Sequence, residues 1–159
     1  NKLNISGMKG PLSCLNDARL GISFGVLGAA EFCIEQVIDY GLPRHFFGSL
    51  LAEPQLSQSR ITAMTREYNL GLLASLNVAD HVDQATSHPE MISLVKRNNC
   101  QKSLETARKA RDMLGGNGIT QEYNIFRHMV NLETVNTYEG THDIHTLILG
   151  KYLTNKEAF

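Results

Sequence analysis

One carboxylate stands out in the segment Thr137-Tyr138-Glu139-Gly140-Thr141-His142-Asp143-Ile144-His145. It lies beside a glycine and a threonine, where an irregular stretch gives way to an amphipathic helix. Thr141 suits the N-cap of that helix, since a threonine oxygen accepts from an unpaired backbone N–H of the first turn. Glu139 is then left just outside the helix, in a loop that a ligand can approach closely past Gly140. A carboxylate desolvated in such a place rises in pKa towards what a general base needs near neutrality. The same residues also fit a plain capping loop whose acid favours the helix dipole.

Other residues offer chemistry of their own. Leu12, Ser13, Cys14, Leu15, Asn16, Asp17, Ala18 and Arg19 open a long helix, where polar groups either cap the first turn or face a ligand. Arg44 precedes Phe47-Gly48 in a loop, with Gln55 at the start of the next helix. A guanidinium can hold a pyrophosphate through paired charge-assisted bonds, and an aromatic ring can shield it from water. Asp112-Met113-Leu114-Gly115-Gly116-Asn117-Gly118 is glycine-rich but ends a helix instead of following a strand, so it is neither a dinucleotide fingerprint nor a P-loop. A glycine C-cap accounts for it, and bare glycine backbone would also let a cofactor approach. His142 and His145 have helical spacing, yet no further ligands stand at zinc-site spacing, and they read as polar residues of a first helical turn.

These groups must be positioned by helices. Over 13–40, Leu20, Phe24, Leu27, Ile34 and Ile38 form one stripe, and Ile22, Val26, Ala29, Cys33 and Val37 an adjacent one. So wide an apolar arc implies a nearly surrounded helix, and Gly21, Gly25 and Gly28 imply another backbone packed closely on it. Gly41 and Pro43 end it. A second helix is expected over 55–82, with Ile61, Met64, Tyr68, Leu72, Leu76 and Ala79 inward. A third, opened by Pro89, covers 89–114, with Met91, Leu94, Val95, Leu104, Ala107 and Leu114 inward. A shorter helix follows over 123–133, and a last one over 141–153. No strand is expected. The fold class is all-α, an up-and-down four-helix bundle.

The 159 residues suffice for one domain with a single core. Fifteen basic and sixteen acidic side chains give a net charge of −1, which leaves no electrostatic footprint for nucleic acid or an anionic membrane. No run reads as long and apolar enough to cross a bilayer. Lys96-Arg97 and Arg108-Lys109-Arg111, interleaved with Glu105 and Asp112, read as a solvated helix face. Cys14, Cys33 and Cys100 lack disulfide or zinc spacing and read as reduced, mostly buried residues in an intracellular setting.

The Tyr138-Glu139-Gly140-Thr141 segment closely resembles the catalytic segment of the acyl-CoA dehydrogenases, and Thr141-His142-Asp143-Ile144-His145 resembles the glutaryl-CoA dehydrogenases among them. The resemblance covers essentially the whole chain but only the C-terminal third of such subunits, which also have an N-terminal helical and a middle β domain. It implies that residues 1–11 enter from that β domain and residues 12–159 form the C-terminal bundle. It further implies FAD as cofactor, with Glu139 as the base that removes the α-proton of an acyl-CoA thioester and its backbone amide as a donor to the thioester oxygen. Residues Leu12 to Arg19 and Gly140 would line the substrate. Arg44, Phe47 and Gln55 would reach an FAD bound mainly by another subunit, and Asp112, Met113, Leu114, Gly115, Gly116, Thr141, Asp143 and Phe159 would also contact flavin nucleotide. Leu12 and Ser13 replace a usual phenylalanine and glycine, Pro43 a usual acid, Leu50 a usual proline, and Asp112 and Asp143 stand where many relatives carry glutamine.

The expected activity of the whole enzyme is oxidative decarboxylation of glutaryl-CoA to crotonyl-CoA in the mitochondrial matrix, during lysine and tryptophan degradation. Electrons would pass to an electron-transfer flavoprotein, and the full-length enzyme would be a homotetramer. The 159 residues alone are expected to be inactive, being a piece of a longer chain. Rival readings are a dehydrogenase of other chain specificity, an oxidase that releases hydrogen peroxide, and a non-catalytic helical binding module.

Overall fold

The computed structural model describes residues 7–157. Among them are five α-helices: α1 (Lys9–Gly41), α2 (Gln55–Asp83), α3 (Pro89–Met113), α4 (Ile125–Thr137) and α5 (His142–Thr154). Helix α1 begins before the expected boundary at residue 12. Pro11 sits in its first turn, where a missing N–H loses nothing because first-turn donors have no intrahelical acceptor. Pro89 opens α3 in the same way, with His88 extended before it. Helix α4 runs four residues beyond its expected end, to Thr137.

Helix α3 is the central element and packs against all four others, while α1 also contacts α2 and α4. The main core joins Val26, Cys33, Ile34 and Val37 of α1 to Met64 of α2, to Cys100, Leu104, Ala107 and Ala110 of α3, and to Ile125 and Leu132 of α4. By length and composition α1 is apolar enough to span a bilayer, which corrects the sequence expectation. In this fold that apolarity serves the bundle.

Further expectations fail for identifiable reasons. Leu76 and Leu94 are exposed, because the inward stripe of α2 runs through Met64, Gly71, Ser75 and Val78, and that of α3 through Ile92, Lys96, Asn99, Ser103 and Ala107. The buried stripe of α3 is thus largely polar, and hydrophobicity did not reveal it. Asn99 satisfies part of it by donating to Ser23 O (3.1 Å), Gly71 O (3.2 Å) and Ser75 Oγ (2.8 Å). Gly21, Gly25 and Gly28 are not covered by another backbone among the described residues. A Cβ added there meets nothing within 4 Å, and all three line an open cleft between α1 and α4.

A two-stranded hairpin also interrupts the all-helical expectation: β1 (His45–Phe46) pairs antiparallel with β2 (Ser49–Leu50), His45 facing Leu50 and Phe46 facing Ser49. Phe47 (φ 47°) and Gly48 (φ 86°) form its turn. Two consecutive positive φ values match the twist of a two-residue hairpin, and Gly48 adopts its value without a Cβ clash.

Candidate active site

The α4–α5 connection is only four residues, Tyr138 to Thr141, and its backbone reverses sharply. Glu139 (φ 54°) and Gly140 (φ 92°) are both left-handed. For a residue with a Cβ this conformation costs roughly 1–2 kcal/mol, so surrounding contacts must hold it. Thr141 is the N-cap of α5 as expected, its Oγ1 accepting from Ile144 N at 3.3 Å. Asp143 lies exposed in the first turn, where a carboxylate is favoured by the helix dipole.

Three side chains grip this loop. Lys96 of α3 is 1 % exposed and donates to Val135 O (3.1 Å), Tyr138 O (2.9 Å) and Gly140 O (2.8 Å). The Glu139 carbonyl turns the other way, accepting from Arg19 Nε at 2.9 Å and from His145 Nε2 at 3.2 Å. That second bond requires the His145 proton on Nε2. His145 is fully buried, its Nδ1 has no partner among the described residues, and burial pushes the imidazole down to about 4. Desolvation likewise lowers the Lys96 pKa. At the centre of this arrangement Glu139 Oε2 is buried with no hydrogen-bond partner among the described residues. A buried carboxylate oxygen without a donor is uncommon in a folded chain and calls for an explanation.

Lys96 corrects the expectation of a solvated face: it projects from the inward stripe of α3, one turn from Cys100. That register, with Ile92, Asn99 and Ser103, is present in the sequence, but its mostly polar side chains give no apolar period that would mark it as inward. Arg19 was expected near substrate and is found holding the Glu139 backbone, steadied by Asn16 Oδ1 at 3.3 Å. The preceding turns of α1, Leu12 to Ala18, flank this same end of the bundle, with Leu12, Ser13, Cys14, Asp17 and Ala18 exposed and Leu15 and Asn16 half-buried.

A second cluster forms at the far end of α1. Arg44, with its guanidinium 6.0 Å from the centre of the Tyr40 ring, lines a cleft of about 330 Å³ with Asp112, Gly115, Gly116 and Asn117. Gly115 is left-handed (φ 59°), and neither it nor Gly116 has a neighbour within 4 Å of an added Cβ, so their backbone is open to approach. Asn117 Nδ2 donates to Tyr40 Oη at 3.0 Å, fixing the loop to α1. Asp112 is engaged by Arg60 (2.9 Å) and Arg111 (3.2 Å). The Met113 and Leu114 side chains are core, leaving chiefly their backbone to face a ligand. Phe47, at the hairpin tip, is 95 % exposed and does not line the cleft, and Gln55 opens α2 exposed. Phe159 lies outside the described residues. Along α1, at about 1.5 Å per residue, Arg19 and Tyr40 are about 30 Å apart, so the two clusters occupy opposite ends of the bundle.

The family model for the acyl-CoA dehydrogenase C-terminal domain matches residues 6–154. The chain belongs to the acyl-CoA dehydrogenase family. It is 28 % identical to an acyl-CoA dehydrogenase of Bacillus subtilis (strain 168) over 139 residues, which is 87 % of this chain and 37 % of that protein. Among solved structures, a glutaryl-CoA dehydrogenase from Mycobacterium smegmatis is 47 % identical with a TM-score of 0.92, over 94 % of this chain and 38 % of that one. A glutaryl-CoA dehydrogenase from the same organism, in complex with FADH2, is 46 % identical with a TM-score of 0.95, over 98 % and 40 %. The all-α bundle is therefore a domain of the acyl-CoA dehydrogenase C-terminal type, and the chain spans about two fifths of the length of these relatives. Among the described residues, the loop carrying Glu139 and the cleft beside Arg44 bring together most of the candidate site residues.

Proposed function

We propose that this domain supplies the general base of an FAD-dependent acyl-CoA dehydrogenase that oxidises glutaryl-CoA. The observation that carries the reading is Glu139, held left-handed with a buried, unpartnered Oε2. The identity of 46–47 % to glutaryl-CoA dehydrogenases supports the choice of substrate. Both clusters suit a flavin nucleotide. Arg44 beside the bare backbone of Gly115 and Gly116 fits a diphosphate, and Thr141 and Asp143 lie next to Glu139, where the reacting ring would have to be. Their separation favours service to two cofactor molecules, one at each end, as in an assembly of several copies. The full proposal includes a homotetramer, an electron-transfer flavoprotein as acceptor, a role in lysine and tryptophan degradation and a mitochondrial matrix location.

In the reaction, Glu139 takes the proton from the thioester α-carbon. Its backbone N–H, which donates to no acceptor among the described residues, is available to the thioester oxygen as negative charge develops there. The first turns of α1 wall the same end, and Arg19 keeps the loop against them. Bound FAD supplies the acceptor for the hydride leaving the β-carbon. Grip on the loop from both sides leaves little reorganisation for the reaction to drive.

The test is turnover by the FAD-loaded full-length protein offered glutaryl-CoA and a panel of straight-chain acyl-CoA thioesters with an artificial electron acceptor. Crotonyl-CoA and carbon dioxide from glutaryl-CoA, at the highest kcat/KM of the panel, are expected. Preference for an unbranched monocarboxylic thioester, or stoichiometric hydrogen peroxide in place of acceptor reduction, would overturn the assignment.

A further inference from the structure

Lys96 is the largest fully buried side chain of the described residues and carries the only ammonium among them to be so enclosed. Its three partners fall on both sides of Glu139: Val135 O and Tyr138 O at the end of α4, and Gly140 O beyond. Three acceptors at 2.8–3.1 Å use all three N–H bonds of a protonated amine, whereas a neutral amine could donate to only two of them. Two of these carbonyls terminate α4, whose last C=O groups have no intrahelical donor, so the cation also sits favourably at the helix C-terminus. The consequence for the loop is geometric. With Tyr138 O and Gly140 O both drawn to Nζ, the Glu139 carbonyl between them points the opposite way, to Arg19 and His145, and that alternation accompanies the positive φ at Glu139.

We propose that Lys96 is a positioning residue for the base: by bonding the carbonyls before and after Glu139 it holds that residue in its left-handed conformation and so fixes where the carboxylate stands. This rests on Glu139 being the base. The Lys96 ammonium is taken up by these three backbone carbonyls, so its part in the reaction runs through the loop. A lysine that only filled space in the core would be replaceable by an apolar side chain of similar length; one that sets the loop would not.

The experiment uses the FAD-loaded full-length protein with Lys96→Met, which keeps the length and removes every donor, and Lys96→Gln, which removes the charge and keeps N–H donors. Expected are kcat losses of at least about 100-fold for Lys96→Met and about 10-fold for Lys96→Gln, with KM and flavin content within threefold of the parent. In the flavin-free protein, backbone amides of residues 138–141 should exchange hydrogen at least about 10-fold faster in Lys96→Gln, with the α1–α3 core unchanged. If Lys96→Met yields no folded protein, Lys96→Gln decides on the same criteria. A variant that folds and keeps kcat within threefold, or leaves loop exchange at the parent rate, overturns the proposal. Glu139→Gln run alongside separates the two claims. Activity lost there but kept in the Lys96 variants sinks only the positioning role, and activity kept in Glu139→Gln sinks the base.

Discussion

Glu139 and its neighbours occupy a conformation that side chains rarely adopt, and the contacts that impose it should be measurable singly. A methyl at Gly140 would lie 2.8 Å from His145 Nε2 on a backbone with φ 92°, so Gly140→Ala should destabilise the fold by about 1–3 kcal/mol, read from the denaturant midpoint. His145 gives a pH signature. Its folded pKa, pushed down to about 4 by burial, lies below the ordinary 6.5, so the unfolded chain binds more protons between those values. The stability from the neutral ring is fully present above about pH 6.5 and is lost as pH falls through about 4, a change of up to about 3 kcal/mol. His145→Gln should therefore narrow the gap between denaturant midpoints taken near pH 7 and near pH 4; an undiminished gap would contradict the buried neutral imidazole. Thr141→Ala should remove the N-cap of α5 at a cost of about 1 kcal/mol.

At the scale of elements, α2 and α3 approach closely because position 71 has no side chain. A Cβ on Gly71 would stand 2.7 Å from Asn99 Oδ1 and 3.0 Å from Leu27 Cδ2. Gly71→Ala should thus cost about 1–3 kcal/mol, whereas Gly25→Ala, on the open stripe of α1, should raise the stability of the 159-residue chain by up to about 1 kcal/mol. Thermal midpoints of the two variants provide the comparison. The helices themselves were legible in the sequence, because long apolar periods were closed by Gly41, Pro43 and Pro89. The loop around Glu139 was legible through Thr141. The hairpin was not, since two-residue strands carry no period. Nor was the interior of α3, where Ser93, Lys96, Asn99, Ser103 and Thr106 are buried, Lys96 and Asn99 against acceptors on other elements that only the fold brings together. The glycines of α1 misled for a related reason: small residues announce a close approach, but on this chain they line an open cleft.

At the scale of the molecule, the bundle leaves apolar surface uncovered on α2, where Leu70 and Leu73 are more than half exposed. In the homotetramer proposed for the full-length protein, such surface should be shared between copies. Leu70→Glu with Leu73→Glu should lower the sedimentation coefficient of the full-length protein below the tetramer value; an unchanged value would place the interface elsewhere. The distance of about 30 Å along α1 between the Glu139 and Arg44 ends would give the proposed assembly a chemical purpose. Each copy would offer its base at one end and its guanidinium at the other, to different cofactor molecules. The central claim, that Glu139 removes the proton, is tested most directly by mixing glutaryl-CoA anaerobically with the FAD-loaded full-length protein and following flavin absorbance. Glu139→Gln should still bind the thioester yet slow flavin bleaching at least about 1,000-fold, whereas bleaching within threefold of the parent rate would contradict the account.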